Sequence, residues 1–263
     1  RCNVVPGLAW AEVGLENLSF EALQDKVRAI EAAHQAEKFS LSVKKAENGR
    51  ARIEAVGVSA HASMPELGVN AMGMLLIALK ELGAGGGSRE AIAILADKLG
   101  LEGDGKSLGI AISDEESGAL TCNLGLCRYD GHYLTAQLDI RRPISSDPAV
   151  ICGNAAVALS PARMAVTLLG AKEAHYVPKD HKVVRGLLEV YHEVTGLPAY
   201  AFSIGGGTYS RMMPNTVAFG CNFPGEVDTA HMPDESVSLE KYMLSIHVMA
   251  HAIARLAGKE AGC

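Results

Sequence analysis

Two successive architectures are predicted by this sequence: an α+β domain over residues 1–178, built from two ferredoxin-like halves, and the closing part of an open α/β layer over 179–263. Three observations carry this prediction. The turn dipeptides Asn48-Gly49 and Asp130-Gly131 each stand between alternating apolar segments and mark β-hairpins. Helical stripes, several opened by a capping residue, lie around both hairpins. From Lys179 the pattern changes to long amphipathic helices alternating with short apolar runs, as in sheets covered by helices.

In chain order, Val4-Val5 and the run 8–13 predict a strand entered through the Pro6-Gly7 turn. Phe20, Leu23, Val27 and Ile30 recur at helical spacing, with Ser19 as the N-cap. The alternating runs 39–43 and 51–56 flank Asn48-Gly49 as a hairpin. Asn70 then opens a helix whose apolar face holds Ala71, Met74, Leu75, Ala78, Leu79 and Leu82 and which Gly83 ends. Ile92, Leu95 and Leu99 stripe a short helix. A second hairpin over 120–140 turns at Asp130-Gly131, a helix begins at Asp147-Pro148 with Pro in its first turn, and 164–169 is predicted to close the set as a strand. Val183, Val184, Leu187, Leu188 and Tyr191 stripe the next helix. The runs 199–204 and 216–221 read as buried strands, and the last helix carries Leu239, Tyr242, Met243, Ile246, Met249, Ala250, Ile253 and Leu256.

With 48% hydrophobic residues the chain can bury a proper core, which excludes a disordered or fibrous class. A formal charge of -6, from 24 basic against 30 acidic side chains, and no long basic run argue against nucleic acid as a partner. Apolar stretches stop well short of the roughly 20 residues that a bilayer span needs, so no membrane partner is expected either. The six cysteines form no CxxC pair and several sit among apolar neighbours, consistent with reduced thiols in the cytoplasm. The chain opens Arg1-Cys2-Asn3 without an initiator methionine and reads as a piece of something longer.

Several positions suggest chemistry. His231 lies in the most polar loop of the C-terminal part, after a predicted strand, where open α/β sheets bind ligands; spacing alone makes it first a surface histidine and second a metal ligand. Gly205-Gly206-Gly207-Thr208 lacks both the GxGxxG spacing and a following Gly-Lys-Ser/Thr, which leaves a bare strand end able to donate N–H groups to a carboxylate or oxyanion. His247 and His251 stand four apart on one helix, but without the glutamate of HExxH they read as flank residues. Asp114-Glu115-Glu116 reads as a solvated turn. His61 sits among small residues at a strand end, and Arg141 ends a strand with a guanidinium suited to bidentate carboxylate binding.

Four segments taken in order, AHASMPELGVNA from Ala60, LDIRRP from Leu138, GGGTYSR from Gly205 and TAHMPDE from Thr229, resemble the dinuclear zinc peptidase family of carnosinases, aminoacylases and glutamate carboxypeptidases. Within it, they look most like the bacterial Xaa-His (β-alanyl) dipeptidase branch. The resemblance implies a lid domain over 1–178 and the C-terminal segment of a catalytic domain over 179–263. It implies that His61 polarises the scissile carbonyl, that Asn123 shares the oxyanion task, and that Arg141 holds the substrate's C-terminal carboxylate. Gly206, Gly207 and Thr208 match the loop whose backbone meets the substrate, and His231 matches the last zinc ligand.

The same resemblance requires an HxD ligand pair and a Glu-Glu pair carrying the general base; the HxD pair is absent, and the sole Glu-Glu dipeptide, Glu115-Glu116, belongs to the solvated turn. None of the nine histidines is followed two places on by aspartate. One matching ligand cannot hold two zinc ions. The expectation is therefore a fragment, inactive alone and without stoichiometric zinc, of a cytoplasmic dipeptidase that uses two zinc ions, or manganese, when intact. Its apolar C-terminal helices, partly uncovered, are expected to promote self-association or to leave that part mobile. Two other readings stay open: an amidohydrolase of N-acyl amino acids within the same family, and a non-catalytic binding or oligomerisation module.

Overall fold

A computed structural model describes residues 2–15, 18–34, 38–220, 222–226 and 234–258. The chain divides into two compact units, Arg1–Lys172 and Glu173–Cys263. No helix among the described residues is long and apolar enough to cross a membrane.

The first unit begins with strand β1 (Leu8–Gly14), helix α1 (Phe20–Ala33), strand β2 (Ser40–Lys45) and strand β3 (Arg50–Val56). The strands form one antiparallel sheet in the order β1-β3-β2. Register follows from burial: Ile53 on the central strand faces Ala11 on one side and Val43 on the other, and Ala51, Ile53 and Ala55 put one face of β3 wholly inside. Asn48 and Gly49 both adopt positive φ, as a type I′ turn requires, and the Arg50 N–H closes the turn on the Glu47 carbonyl at 3.2 Å. Ser19 caps α1 by accepting the Ala22 N–H at 3.1 Å, and Leu23, Val27 and Ile30 are its buried face.

Helix α2 (Ala71–Leu82) lies deepest. Asn70 Oδ1 accepts the N–H groups of Met72 and Gly73, and Gly83 ends the helix in the left-handed conformation. Gly73 is obligatory here because a Cβ would sit 1.7 Å from the Gly100 carbonyl oxygen, on the loop after helix α3 (Arg89–Lys98). A two-residue ladder, β4 (Ser113–Asp114) with β5 (Gly118–Ala119), precedes the hairpin of β6 (Thr121–Tyr129) and β7 (Leu134–Arg141), and helix α4 (Pro148–Leu159) follows with Asp147 as its cap. One continuous core joins the sheet, all four helices and the inner face of β6.

Two equal ferredoxin-like halves do not form. The β6–β7 hairpin stays a separate two-stranded sheet, and 164–169, predicted to complete it, enters no ladder; Met164 and Val166 rest on the core instead. The apolar content of 164–169 favours a strand, but a strand also needs a neighbour whose N–H and C=O groups face it.

Burial explains the thiols. Among the described residues Cys2, Cys122, Cys127 and Cys152 are free, and desolvation pushes Cys122 up to about 12 and Cys127 up to about 11, so neither is a thiolate at neutral pH.

The acidic turn is more than solvated loop. Asp114 Oδ1 accepts both the N–H and the hydroxyl of Ser117, and its other oxygen accepts the Ser145 N–H at 3.1 Å, tying the turn to the approach of α4. The Ser117 hydroxyl, then its N–H, hold the Asp114 carboxyl well below its ordinary 3.8. A depressed folded value stabilises the fold above the unfolded value of 3.8 and loses that contribution as pH falls toward the folded value. Asp114→Asn is therefore expected to lower the urea midpoint at pH 7, with the gap to the parent closing below about pH 4. A gap constant from pH 7 to pH 2 would contradict the assignment.

The second unit is a helix pair, α5 (Lys182–Thr195) and α6 (Leu239–Ala257). Leu187 and Val190 pack on Val248 and Ala252, and Arg255 pairs with Glu189 at 3.3 Å and Glu193 at 2.5 Å. The runs 199–204 and 216–221 are predicted as buried strands; Cys221 lies outside the described residues, and neither 199–204 nor 216–220 forms a strand, although Val217 and Phe219 pack on the helix-pair core. Both lack a ladder, and Tyr200, Phe202 and Ile204 are exposed. Among the described residues of this unit no strand is available to pair with them. Tyr191 and Leu187 of α5 are at least partly covered, whereas Ile246, Met249 and Ile253 of α6 remain exposed.

Candidate functional site

The site residues of the first unit meet where the N-terminal segment crosses two others. Val5 N–H donates to the Ala60 carbonyl at 2.8 Å, Ala62 N–H donates to the Asn3 carbonyl at 3.1 Å, and Val4 and His61 are antiparallel bridge partners. The same segment passes over β6 at its bulge. There a Cβ on Gly125 would lie 2.2 Å from the Cys2 carbonyl oxygen, so only glycine admits the crossing.

His61 is half-buried, and its ring is fixed locally. Ser63 N–H donates to Nδ1 at 3.2 Å, and the Ser63 hydroxyl lies 2.7 Å from the same nitrogen. A nitrogen that accepts from a backbone N–H carries no proton in the neutral ring, so the hydrogen resides on Nε2. The Ser63 backbone N–H thus makes His61 a donor through its far nitrogen.

Asn123 is placed differently from expectation. It is 2% exposed, and Nδ2 donates to the carbonyls of Cys2 and Val4, each at 3.0 Å, while Oδ1 accepts from Asn70 Nδ2 at 3.3 Å. Asn70 Nδ2 also donates to the Leu124 carbonyl. Both N–H groups of the Asn123 amide are spent on backbone, leaving none for a substrate oxyanion. Its position is that of a staple between α2, β6 and the N-terminal segment. The asparagine that reaches the surface beside His61 is Asn3, next to the bridge residue Val4. Sequence reasoning missed it; the available signal was its place in a short extended run before Pro6-Gly7.

Arg141 ends β7 directly opposite Thr121, and Asp139 lies opposite Asn123. Period-two alternation puts Thr121, Asn123, Asp139 and Arg141 on one face of the hairpin. Arg141 Nε donates to Asp139 Oδ1 at 2.5 Å and Nη2 to Oδ2 at 3.1 Å, a bidentate fork that fixes the guanidinium plane. Thr121 Oγ1 donates to the carbonyl of Ala62 at 3.1 Å, which ties this face to the residue following His61. The structure therefore gathers His61, Asn3, Asn123 and Arg141 into one neighbourhood, although 138 positions separate the outer two.

In the second unit Gly206 and Gly207 lie in an exposed loop, and the Thr208 hydroxyl is 2.6 Å from that of Ser210 at the start of a single 3-10 turn. Open space surrounds the Cβ position of Gly206, so nothing within the unit demands a glycine there. His231 lies outside the described residues. His247 and His251 are both exposed on α6 with Nε2 atoms 3.1 Å apart.

No three His, Cys, Asp or Glu side chains converge to hold a metal among the described residues. The described residues do not fit a dinuclear zinc centre.

Residues 21–255 match peptidase family M20/M25/M40, whose members are generally metal-dependent. The chain is 32% identical over 260 residues to YtjP of Bacillus subtilis (strain 168), a dipeptidase by name, covering 98% of this chain and 54% of that protein. It is 33% identical over 212 residues to the Beta-Ala-Xaa dipeptidase of Lactobacillus delbrueckii subsp. lactis, covering 80% of this chain and 45% of that protein. A Staphylococcus aureus (strain MRSA252) protein, again a dipeptidase by name, is 25% identical over 99% of this chain and 55% of its own length. The chain thus spans about half the length of the relatives it matches. With the family match running from α1 through α6, this chain belongs to peptidase family M20/M25/M40.

Proposed function

We propose that the chain is the lid domain and the C-terminal catalytic segment of a zinc-dependent dipeptidase, the metal site and general base coming from the rest of a longer protein. The observation that carries this reading is the gathering of a histidine donor, a surface asparagine and a fork-fixed arginine at one end of the first unit. Peptide hydrolysis passes through a tetrahedral oxyanion, which needs a donor placed before the charge develops. His61 is that donor through Nε2, and the role first given to Asn123 falls to Asn3. Arg141 takes the substrate's C-terminal carboxylate, with Asp139 orienting it. Relatives named as dipeptidases support dipeptides as the substrate class. Gly206, Gly207 and Thr208 supply backbone to the bound peptide, and His231 is a zinc ligand in this reading.

The exposed apolar run 199–204 and the exposed face of α6 agree with it, since strands and helices of an open α/β layer need cover from neighbours of the same sheet. The test is to assay the chain alone and joined to the remainder of its full-length protein, on β-Ala-His, Ala-His and N-acetyl-His. The chain alone is expected to cleave none, and the full-length protein to cleave the two free-amine dipeptides. Two tightly bound zinc ions on the chain alone would overturn the fragment reading. Preference for the blocked substrate would replace dipeptidase by amidohydrolase.

A further inference from the structure

Helix α6 carries a feature that peptide hydrolysis does not use. At 3.6 residues per turn its surface separates into three faces. Ser245, Val248 and Ala252 are buried along the seam with α5. Tyr242, Ile246, Met249 and Ile253, three or four residues apart, form an apolar face that is exposed. His247 and His251 occupy the remaining arc, both exposed, on neither apolar face. Cover supplied to the apolar face would leave this arc open to water.

The two imidazoles are held close together. Their Nε2 atoms are 3.1 Å apart, with ring centroids at 4.7 Å and planes inclined by 69°. Two lone pairs do not face each other at that separation, so one ring donates its N–H to the other and a single proton lies between them. A divalent cation accepting both lone pairs takes the place of that proton. Two histidines at i and i+4 on one helical face have the spacing of a chelate. Both rings turn freely about χ1 and χ2, so the two Nε2 atoms can reach one metal ion at about 2.1 Å each. Imidazole nitrogens suit nickel and copper, which stand high in the affinity order of divalent first-row ions, and two such ligands with water elsewhere match their tetragonal sites. No third His, Cys, Asp or Glu completes the set among the described residues, so water fills the other positions.

We propose that His247 and His251 form a two-point surface site for a divalent cation of the nickel and copper class. Both ligands come from one ordered helix, so binding requires no rearrangement between elements and stabilises the folded helix by mass action. Nickel is the better probe, because copper(II) oxidises thiols and the chain has six cysteines.

The experiment is calorimetric titration of the chain with NiCl₂, comparing the parent with His247→Gln, His251→Gln and, as control, His132→Gln in an exposed turn. Either α6 variant is expected to weaken the site at least tenfold, and the control to leave it unchanged. Substoichiometric Ni²⁺ should also broaden the ring-proton NMR signals of His247 and His251 first and together in the unmutated chain, a readout that needs no variant to fold. Equal affinity in either α6 variant, loss in only one of the two, or broadening that begins elsewhere would overturn the proposal. Neither residue has a role in the dipeptidase reading, so the two fail separately.

Discussion

In the full-length dipeptidase proposed above, His61→Ala is expected to lower kcat by roughly 10²- to 10³-fold with little change in KM. The proton of His61 resides on Nε2 because Nδ1 accepts from Ser63 N–H, and this arrangement is already in place before substrate arrives. A donor prepared in this way adds little to a neutral carbonyl and much to an oxyanion, so its loss appears in the chemical step. Asn3→Ala should act in the same direction. Asn123→Ala should do something else: it strands the Cys2 and Val4 carbonyls, an effect of about 1 to 3 kcal/mol on stability, and should lower Tm. Steady-state kinetics beside thermal melts separate these outcomes. If His61→Ala raised KM at unchanged kcat, the side chain would be holding ground-state substrate and its oxyanion role would have to be given up.

What the sequence makes legible depends on whether the signal is local. Ser19, Asn70, Gly83 and Asp147 cap their helices within a turn of where they stand in the chain, and each does so here. Asn48-Gly49 fixes its hairpin by two positive φ angles, again a local demand. The runs 164–169 and 199–204, and residues 216–220 of the run 216–221, form no strand for the opposite reason. Their apolar content says that they want cover, but a strand is defined by the partner across the ladder, and no residue within the run specifies that partner.

The site divides along the same line. That Arg141 ends a strand and that Asp139 shares its face can be read from period two, but their fork is a pairing that only the structure shows. The difference between Asn123 and Asn3 is wholly non-local. Each is an asparagine near a strand, and only the crossing of the N-terminal segment over Gly125 decides which amide is consumed by backbone carbonyls and which stands at the surface beside His61. His231, the metal ligand implied by the resemblance, lies outside the described residues.

The second large effect expected concerns substrate binding. Arg141→Ala in the full-length enzyme should raise KM by roughly 10- to 100-fold while changing kcat little, because a carboxylate is present in ground and transition states alike and hydrogen bonds to charged groups contribute about 1.5 to 3 kcal/mol. In the proposed role Asp139 sets the direction of that grip. Its two oxygens take Nε and Nη2, so the guanidinium is held in one plane at the strand end rather than sweeping through its rotamers. Arg141→Lys keeps the charge but cannot make the fork, and should recover only a small part of the loss. Asp139→Asn should raise KM less than Arg141→Ala does, since it loosens the arginine without removing it. The amidated dipeptide supplies the discriminating comparison. It lacks the carboxylate, so it should be a poor substrate of the unmutated enzyme and lose little further in Arg141→Ala, which a merely structural arginine would not produce. Equal cleavage of amidated and free-acid dipeptides by the unmutated enzyme would leave Arg141 with no carboxylate to hold, and the Asp139–Arg141 fork would then be an intrastrand ion pair of the hairpin alone.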